Sequence, residues 1–147
     1  MSSIQEDIEA RASVAPRVTP TDVEAEIVSE HYFTAYDGRQ GAIMHETYSG
    51  RERPAGDGSD LIPLTLLTIC VLVLRNGFTV TGESSCASPE NFDAELGRKI
   101  ARQNAINKVW PLMGYALKND IAAGRLTGRP LTDEDLSMRL GAEGAQP

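Results

Sequence analysis

"VLVLRNGFTVTGESS", residues 71–85, changes character at Asn76-Gly77. Before that pair almost every side chain is apolar; after it, apolar and polar residues alternate. Asn-Gly between two such runs is the strongest short-range hairpin signal, because a type I′ turn needs φ > 0 at both central positions. A two-residue turn predicts that Arg75 faces Phe78, Val73 faces Val80 and Val71 faces Gly82. One face of the ribbon then carries Ile69, Val71, Val73, Phe78 and Val80. The other carries Cys70, Leu72 and Leu74 beside Thr79, Thr81 and Glu83. The first strand is apolar on both faces, as a central strand is; the second is wet on one, as an edge strand is.

The next stretch, "SCASPENFDAELGRKIARQNAINKVWPLMGYALK", reads as a long helix. Ser88 is placed as its cap, Pro89 at its first position, and Glu90 and Asp93 near the positive end of the dipole. Phe92, Leu96, Ile100, Ile106 and Trp110 make its apolar stripe, which is expected to lie on the apolar face of the hairpin. Pro111 is expected to break or kink it near Val109, with a restart that stops at Gly124.

Upstream, Thr19-Pro20 starts a short helix, with Thr19 as N-cap and Asp22 in the first turn, running to about Glu30. Asp37-Gly38 reads as a second hairpin within 33–48. Residues 49–60, "SGRERPAGDGSD", form a flexible loop. A lone ribbon is marginal, so further strands are expected from 33–48 or from a second subunit, and a homo-oligomer follows. The fold class is α+β: a small antiparallel, hairpin-centred sheet packed by one long helix over 89–109, with a short N-terminal helix. Residues 1–18 read as a disordered arm and 19–124 as a single domain. Residues 125–147 read as a loose tail with room for one short helix capped at Thr132.

Composition narrows the function classes. The chain has 147 residues, a formal charge of −7, two cysteines and 5% aromatic residues. An acidic chain repels phosphate backbones, which argues against general nucleic-acid binding. The apolar run 61–74, about 14 residues long and holding Pro63, falls short of the ~20 needed to span a bilayer. The N-terminus carries Glu6, Asp7 and Glu9 in place of an apolar leader core, and unmatched thiols fit a reducing cytoplasm. The only histidines, His31 and His45, match no metal-ligand spacing, and no nucleophile is placed beside a base. No cofactor motif appears, so the reading is non-enzymatic.

The long helix nevertheless concentrates Arg98, Lys99, Arg102 and Lys108 in an acidic chain. Cations and amides such as Gln103 beside an apolar surface, with Trp110 near, suit a small anionic, nucleotide-like ligand. Lys99, Arg102 and Gln103 are the expected lining. Arg98 lies beside them, and Thr79, Thr81 or Glu83 of the wet strand join if a neighbouring subunit brings them close.

Residues 68–115, with the C-x-L-x-L-x-N-G strand and turn, "GFTVTGES", "PENFD", "GRKIAR" and "WPL-G-Y", closely resemble a bacteriophage family. It is named after gene product 49 of a coliphage and gene 66 of a Shigella phage. "TPTDVEAEIVSEHY" resembles it more weakly; the insertion between Phe33 and Leu61 and the tail after Lys118 depart from it. The resemblance implies a small phage accessory protein made in the host cytoplasm, and brings no catalytic set or cofactor. Three functions compete on this basis. One is sequestration of a nucleotide-type host immune signal, as counter-defence; the alternative is an acidic inhibitor that binds a host protein. The third is an enzyme acting on a nucleotide, for which the sequence offers no residue set.

Overall fold

The computed structural model describes residues 3–6, 16–48, 50 and 52–125. In chain order the elements are helix α1 (Pro20–Glu26), strand β1 (Ile27–Thr34), helices α2 (Ala35–Ile43) and α3 (Leu61–Thr65), and strands β2 (Leu67–Leu74) and β3 (Thr79–Ser85). A 3-10 turn (Pro89–Asn91) and the long helix α4 (Ala94–Ala122) complete it. The strands form one antiparallel sheet in the order β1-β2-β3, packed against α4, and the fold is α+β as expected.

The chain divides into two compact units, Val28–Lys108 and Met1–Ile27 with Val109–Pro147. In the first unit β2 is the central strand and alternates half-buried and buried residues along its length. Its partner register is Leu72↔Val80, Cys70↔Gly82 and Val71↔Thr81, one residue away from the sequence-based pairing. The turn is the cause. Gly77 N–H donates to the Leu74 carbonyl at 2.9 Å and Leu74 N–H to the Phe78 carbonyl at 2.8 Å. Gly77 has φ +86°, but no residue other than glycine has positive φ among the described residues, Asn76 included. The connection is therefore a three-residue loop, a type I turn closed by a left-handed glycine, and not the two-residue type I′ turn. Asn76 Oδ1 accepts from Phe78 N–H at 2.9 Å, so the asparagine serves the turn by its side chain. A slip of one residue exchanges the faces of β3. Val80 and Gly82 join Cys70, Leu72 and Leu74 on the buried face, while Thr79 and Thr81 stand beside Val73 and Val71.

The helix stripe differs accordingly. Leu96 and Ile100, expected on the sheet, are 53% and 43% exposed. The buried positions are Gly97, Ala101, Ala105 and Ile106. Small residues face the sheet because Gly82 lets the two backbones meet: a Cβ on Gly82 would stand 2.0 Å from the Ala101 carbonyl oxygen and 2.2 Å from the Ala105 nitrogen. Larger side chains cannot fit there, so the longest aliphatic residues of the helix turn away.

The third strand is β1, which takes in only Phe33 and Thr34 of the expected 33–48 stretch. The Asp37-Gly38 hairpin does not form, because Thr34 and Asp37 make a capping box that starts α2. Asp37 N–H donates to Thr34 Oγ1 at 3.1 Å and Thr34 N–H to Asp37 Oδ2 at 3.0 Å, so the aspartate satisfies a helix terminus. The long helix likewise begins later than expected. Ser88-Pro89 opens the 3-10 turn, and Asp93 Oδ1 accepts from Leu96 N–H at 3.1 Å at the start of α4.

In the second unit α1 begins as read from the sequence, with a capping box between Thr19 and Asp22. It ends at Glu26, earlier than expected, where β-branched Ile27 and Val28 turn extended. Val23, Val109, Met113 and Leu117 are buried, and Trp110 is half-buried. Pro111 does not end α4, which is helical from end to end. One lost N–H bond is outweighed by the buried Val109, Met113 and Leu117 around it. Gly124, at φ +73°, donates its N–H to Ile121, and Arg125 N–H reaches back to Asp120; this Schellman stop is where the sequence placed it. Most of the expected arm at 1–18 and nearly all of the tail at 125–147 lie outside the described residues.

Candidate functional site

The basic helix face of α4 is mostly neutralised in place. Lys99 Nζ lies 3.4 Å from Glu95 Oε1, one turn away, with both side chains largely exposed. Arg102 Nε donates to Glu30 Oε2 of β1 at 2.9 Å. Lys108 Nζ is 3.9 Å from Glu83 Oε2 of β3. Arg98 makes no ion pair among the described residues. It lines a concavity of about 110 Å³ with Ala94 and Phe92, the β1 residues Tyr32, Phe33 and Thr34, Thr68 of β2, and Asp37 of α2.

Of the residues singled out in the sequence, Arg98 alone lines this concavity. Lys99 and Gln103 project one turn apart on the exposed side, where Gln103 Nε2 donates to Asn107 Oδ1 at 2.9 Å. Arg102 turns towards β1, so Lys99, Arg102 and Gln103 do not converge. Thr81 and Glu83 meet each other, with Thr81 Oγ1 donating to Glu83 Oε1 at 3.1 Å, while Thr79 is exposed. Asn104 Nδ2 donates to the Glu83 carbonyl at 2.8 Å, which anchors this edge to the helix. Trp110 belongs to the other unit.

Sequence reasoning missed Asp37, Thr68, Phe92 and the β1 residues. The Thr34-x-x-Asp37 spacing, a capping-box pattern, was the available signal for α2. Nothing local marked Thr68. It is 4% exposed, and its hydroxyl makes no hydrogen bond among the described residues. A Cβ on Gly97 would come within 3.1 Å of that hydroxyl, so the glycine keeps the space over it clear.

Behind the concavity, the Tyr32 hydroxyl donates to Glu30 Oε1 at 3.2 Å. Burial, then the neighbouring Cys70 and Glu30, pushes the Tyr32 phenol up to about 12. Burial also raises the Cys70 thiol. Both groups thus stay protonated near neutral pH, and neither is activated as a nucleophile or base. His31 contacts Ser29, and His45 contacts Thr47. Among the described residues no group of three or more His, Cys, Asp or Glu side chains could hold a metal ion. No helix among them is long and apolar enough to cross a membrane.

The arrangement is a small α+β domain with a ring-lined concavity between the start of its long helix and its sheet. The chain belongs to the phage protein family of N4 Gp49 and phage Sf6 gene 66, whose family model matches residues 18–121. That span takes in both stretches of resemblance and the segment between them. No curated protein and no solved structure matches the chain.

Proposed function

We propose that this phage protein acts by binding, without catalysis, and sequesters a nucleotide-type host immune signal in the host cytoplasm. The observation that carries the reading is Arg98. Three of the four cations on the helix face have carboxylate partners; the fourth has none among the described residues and borders a concavity walled by Tyr32, Phe33 and Phe92. An unpaired guanidinium beside aromatic rings suits a phosphate attached to a planar base. The concavity is smaller than the roughly 300–1,000 Å³ of whole-ligand pockets, so it receives part of such a ligand. Isothermal titration of mononucleotides, cyclic dinucleotides and ADP-ribose derivatives into wild type and Arg98→Ala tests this. Binding weakened about tenfold or more by the substitution supports it. No binding across the panel overturns it.

A second reading, an acidic inhibitor of a host protein, is favoured by a different surface. Helices α2 and α3 pack on each other. They and the following loop expose Met44 (84%) and Ile62 (61%), and Ile43 and Tyr48 are exposed to a lesser degree. The same segment carries Glu46, Glu52 and Asp57. The Tyr48 hydroxyl holds Glu52 below the usual carboxylate range, and the Ser59 N–H does the same for Asp57. Apolar residues rimmed by fixed negative charge suit a basic protein partner. Co-purification from host lysate that is lost in Met44→Glu/Ile62→Glu, alongside a negative ligand panel, would select this reading. Homo-oligomerisation is also proposed, though β1 supplies the third strand from the same chain; light scattering at micromolar concentration measures it.

A further inference from the structure

Resting on the nucleotide-binding reading, we infer that the concavity receives a guanine base, held on its donor edge by Asp37, with the attached phosphate at Arg98. The volume is the first argument. About 110 Å³ is room for roughly four waters, too little for a whole purine, so the concavity takes the polar edge of the base and leaves the rest of the ring, the ribose and the phosphate at the mouth. Arg98 and Asp37 are exposed and lie at that mouth, whereas Thr68 is buried below.

The polar groups specify the base. Asp37 Oδ2 accepts the Thr34 N–H, and its Oδ1 accepts no hydrogen bond among the described residues. A carboxylate so placed accepts from adjacent donors. Guanine is the common base with two of these side by side, the ring N1–H and the exocyclic amino group, while the same edge of adenine pairs its amino group with an acceptor nitrogen. Thr68 is more than nine-tenths buried as a residue; its hydroxyl, without a hydrogen bond among the described residues, lines the same space, and Gly97 leaves it uncovered. It can donate to or accept from the base. The aromatic rings supply stacking surface that every base accepts, so they add affinity without choosing. Asp37 makes the choice.

The experiment is titration of GMP, IMP and AMP into the full wild-type chain, Asp37→Asn and Gly97→Ala, with inorganic phosphate as a further probe. IMP keeps the ring N–H and lacks the amino group. For wild type, GMP is expected to bind about tenfold tighter than IMP, and AMP to bind more weakly still, as loss of a hydrogen bond to a charged group requires. Asp37→Asn should erase the difference between GMP and AMP, and Gly97→Ala should weaken all three by covering Thr68. If Asp37→Asn fails to fold, the three ligands on wild type still decide. Equal affinity for GMP, IMP and AMP overturns guanine recognition and leaves the nucleotide-binding reading standing. Binding of phosphate as tight as GMP also overturns it, placing the affinity at Arg98 alone. No binding of any nucleotide overturns both.

Discussion

Gly82 of the edge strand and Ala101 of the long helix touch backbone to backbone: a Cβ on the glycine would sit 2.0 Å from the alanine carbonyl oxygen. Neither partner can yield by rotating a side chain. Gly82→Ala should therefore push the helix off the sheet and cost about 3 kcal/mol or more, at the upper end of overpacking effects. Leu96→Ser and Ile100→Ser, on the exposed side, should each change stability by about 0.5 kcal/mol or less. Urea midpoints of the three variants measure the contrast. A large loss at Leu96 or Ile100 with a mild one at Gly82 would contradict the packing.

The fold class, the central and edge status of the hairpin strands, the Thr19 cap and the Gly124 stop were all legible. These depend on neighbours in sequence, through capping, turn chemistry and hydropathy. The register was not, because Asn76-Gly77 serves two loop types, a two-residue turn with Asn76 at positive φ and a three-residue turn that also takes in Arg75 and keeps positive φ for Gly77 alone. The helix stripe followed it into error: Leu96 and Ile100 look like core until Gly82, Ala101 and Ala105 are known to meet. The site depended most on the fold. Asp37, Thr68 and Arg98 come from three elements far apart in the chain, and the pairing of Arg102 with Glu30 spans 72 positions.

At the hairpin, Gly77→Val would place a β-branched residue at φ +86° and should cost about 1–3 kcal/mol. Gly77→Asn, which tolerates the left-handed region, should cost less. Thermal melts of the pair test this, and equal melting temperatures for wild type and Gly77→Val would contradict the turn.

Tyr32 ties stability to alkaline pH. Its proton is held to about pH 12 in the folded protein and leaves near 10.0 when unfolded. Between those values the folded state binds more protons, so the contribution is complete below pH 10 and is lost as pH rises towards 12. Tyr32→Phe should flatten the decline. The comparison is best made in a Tyr48→Phe background, since Tyr48 is also raised, by its hydrogen bond to Glu52. An unaltered alkaline limb would contradict the assignment.

Arg102 and Glu30 join the helix to the edge strand β1 through side chains that are partly exposed, 28% and 41%. A double-mutant cycle with Arg102→Met and Glu30→Gln should give a coupling of about 0.5–1 kcal/mol. Zero coupling would assign the pair no role in holding the strand.

Synthesis order gives the sheet an uneven history. β1 ends at Thr34, yet its partner β2 ends at Leu74, and α2, a long loop and α3 intervene. At about 5–20 residues per second, a nascent chain carries β1 for roughly 2–8 s before the ribosome has made the strand it pairs with. Tyr32 and Phe33 are without their sheet partners throughout that interval. By contrast, β3 follows β2 after a turn of three residues and can close as soon as both have emerged from the exit tunnel. The protein is therefore most open to chaperone capture, or to pairing with a neighbouring nascent chain, in the interval between making its first strand and its second.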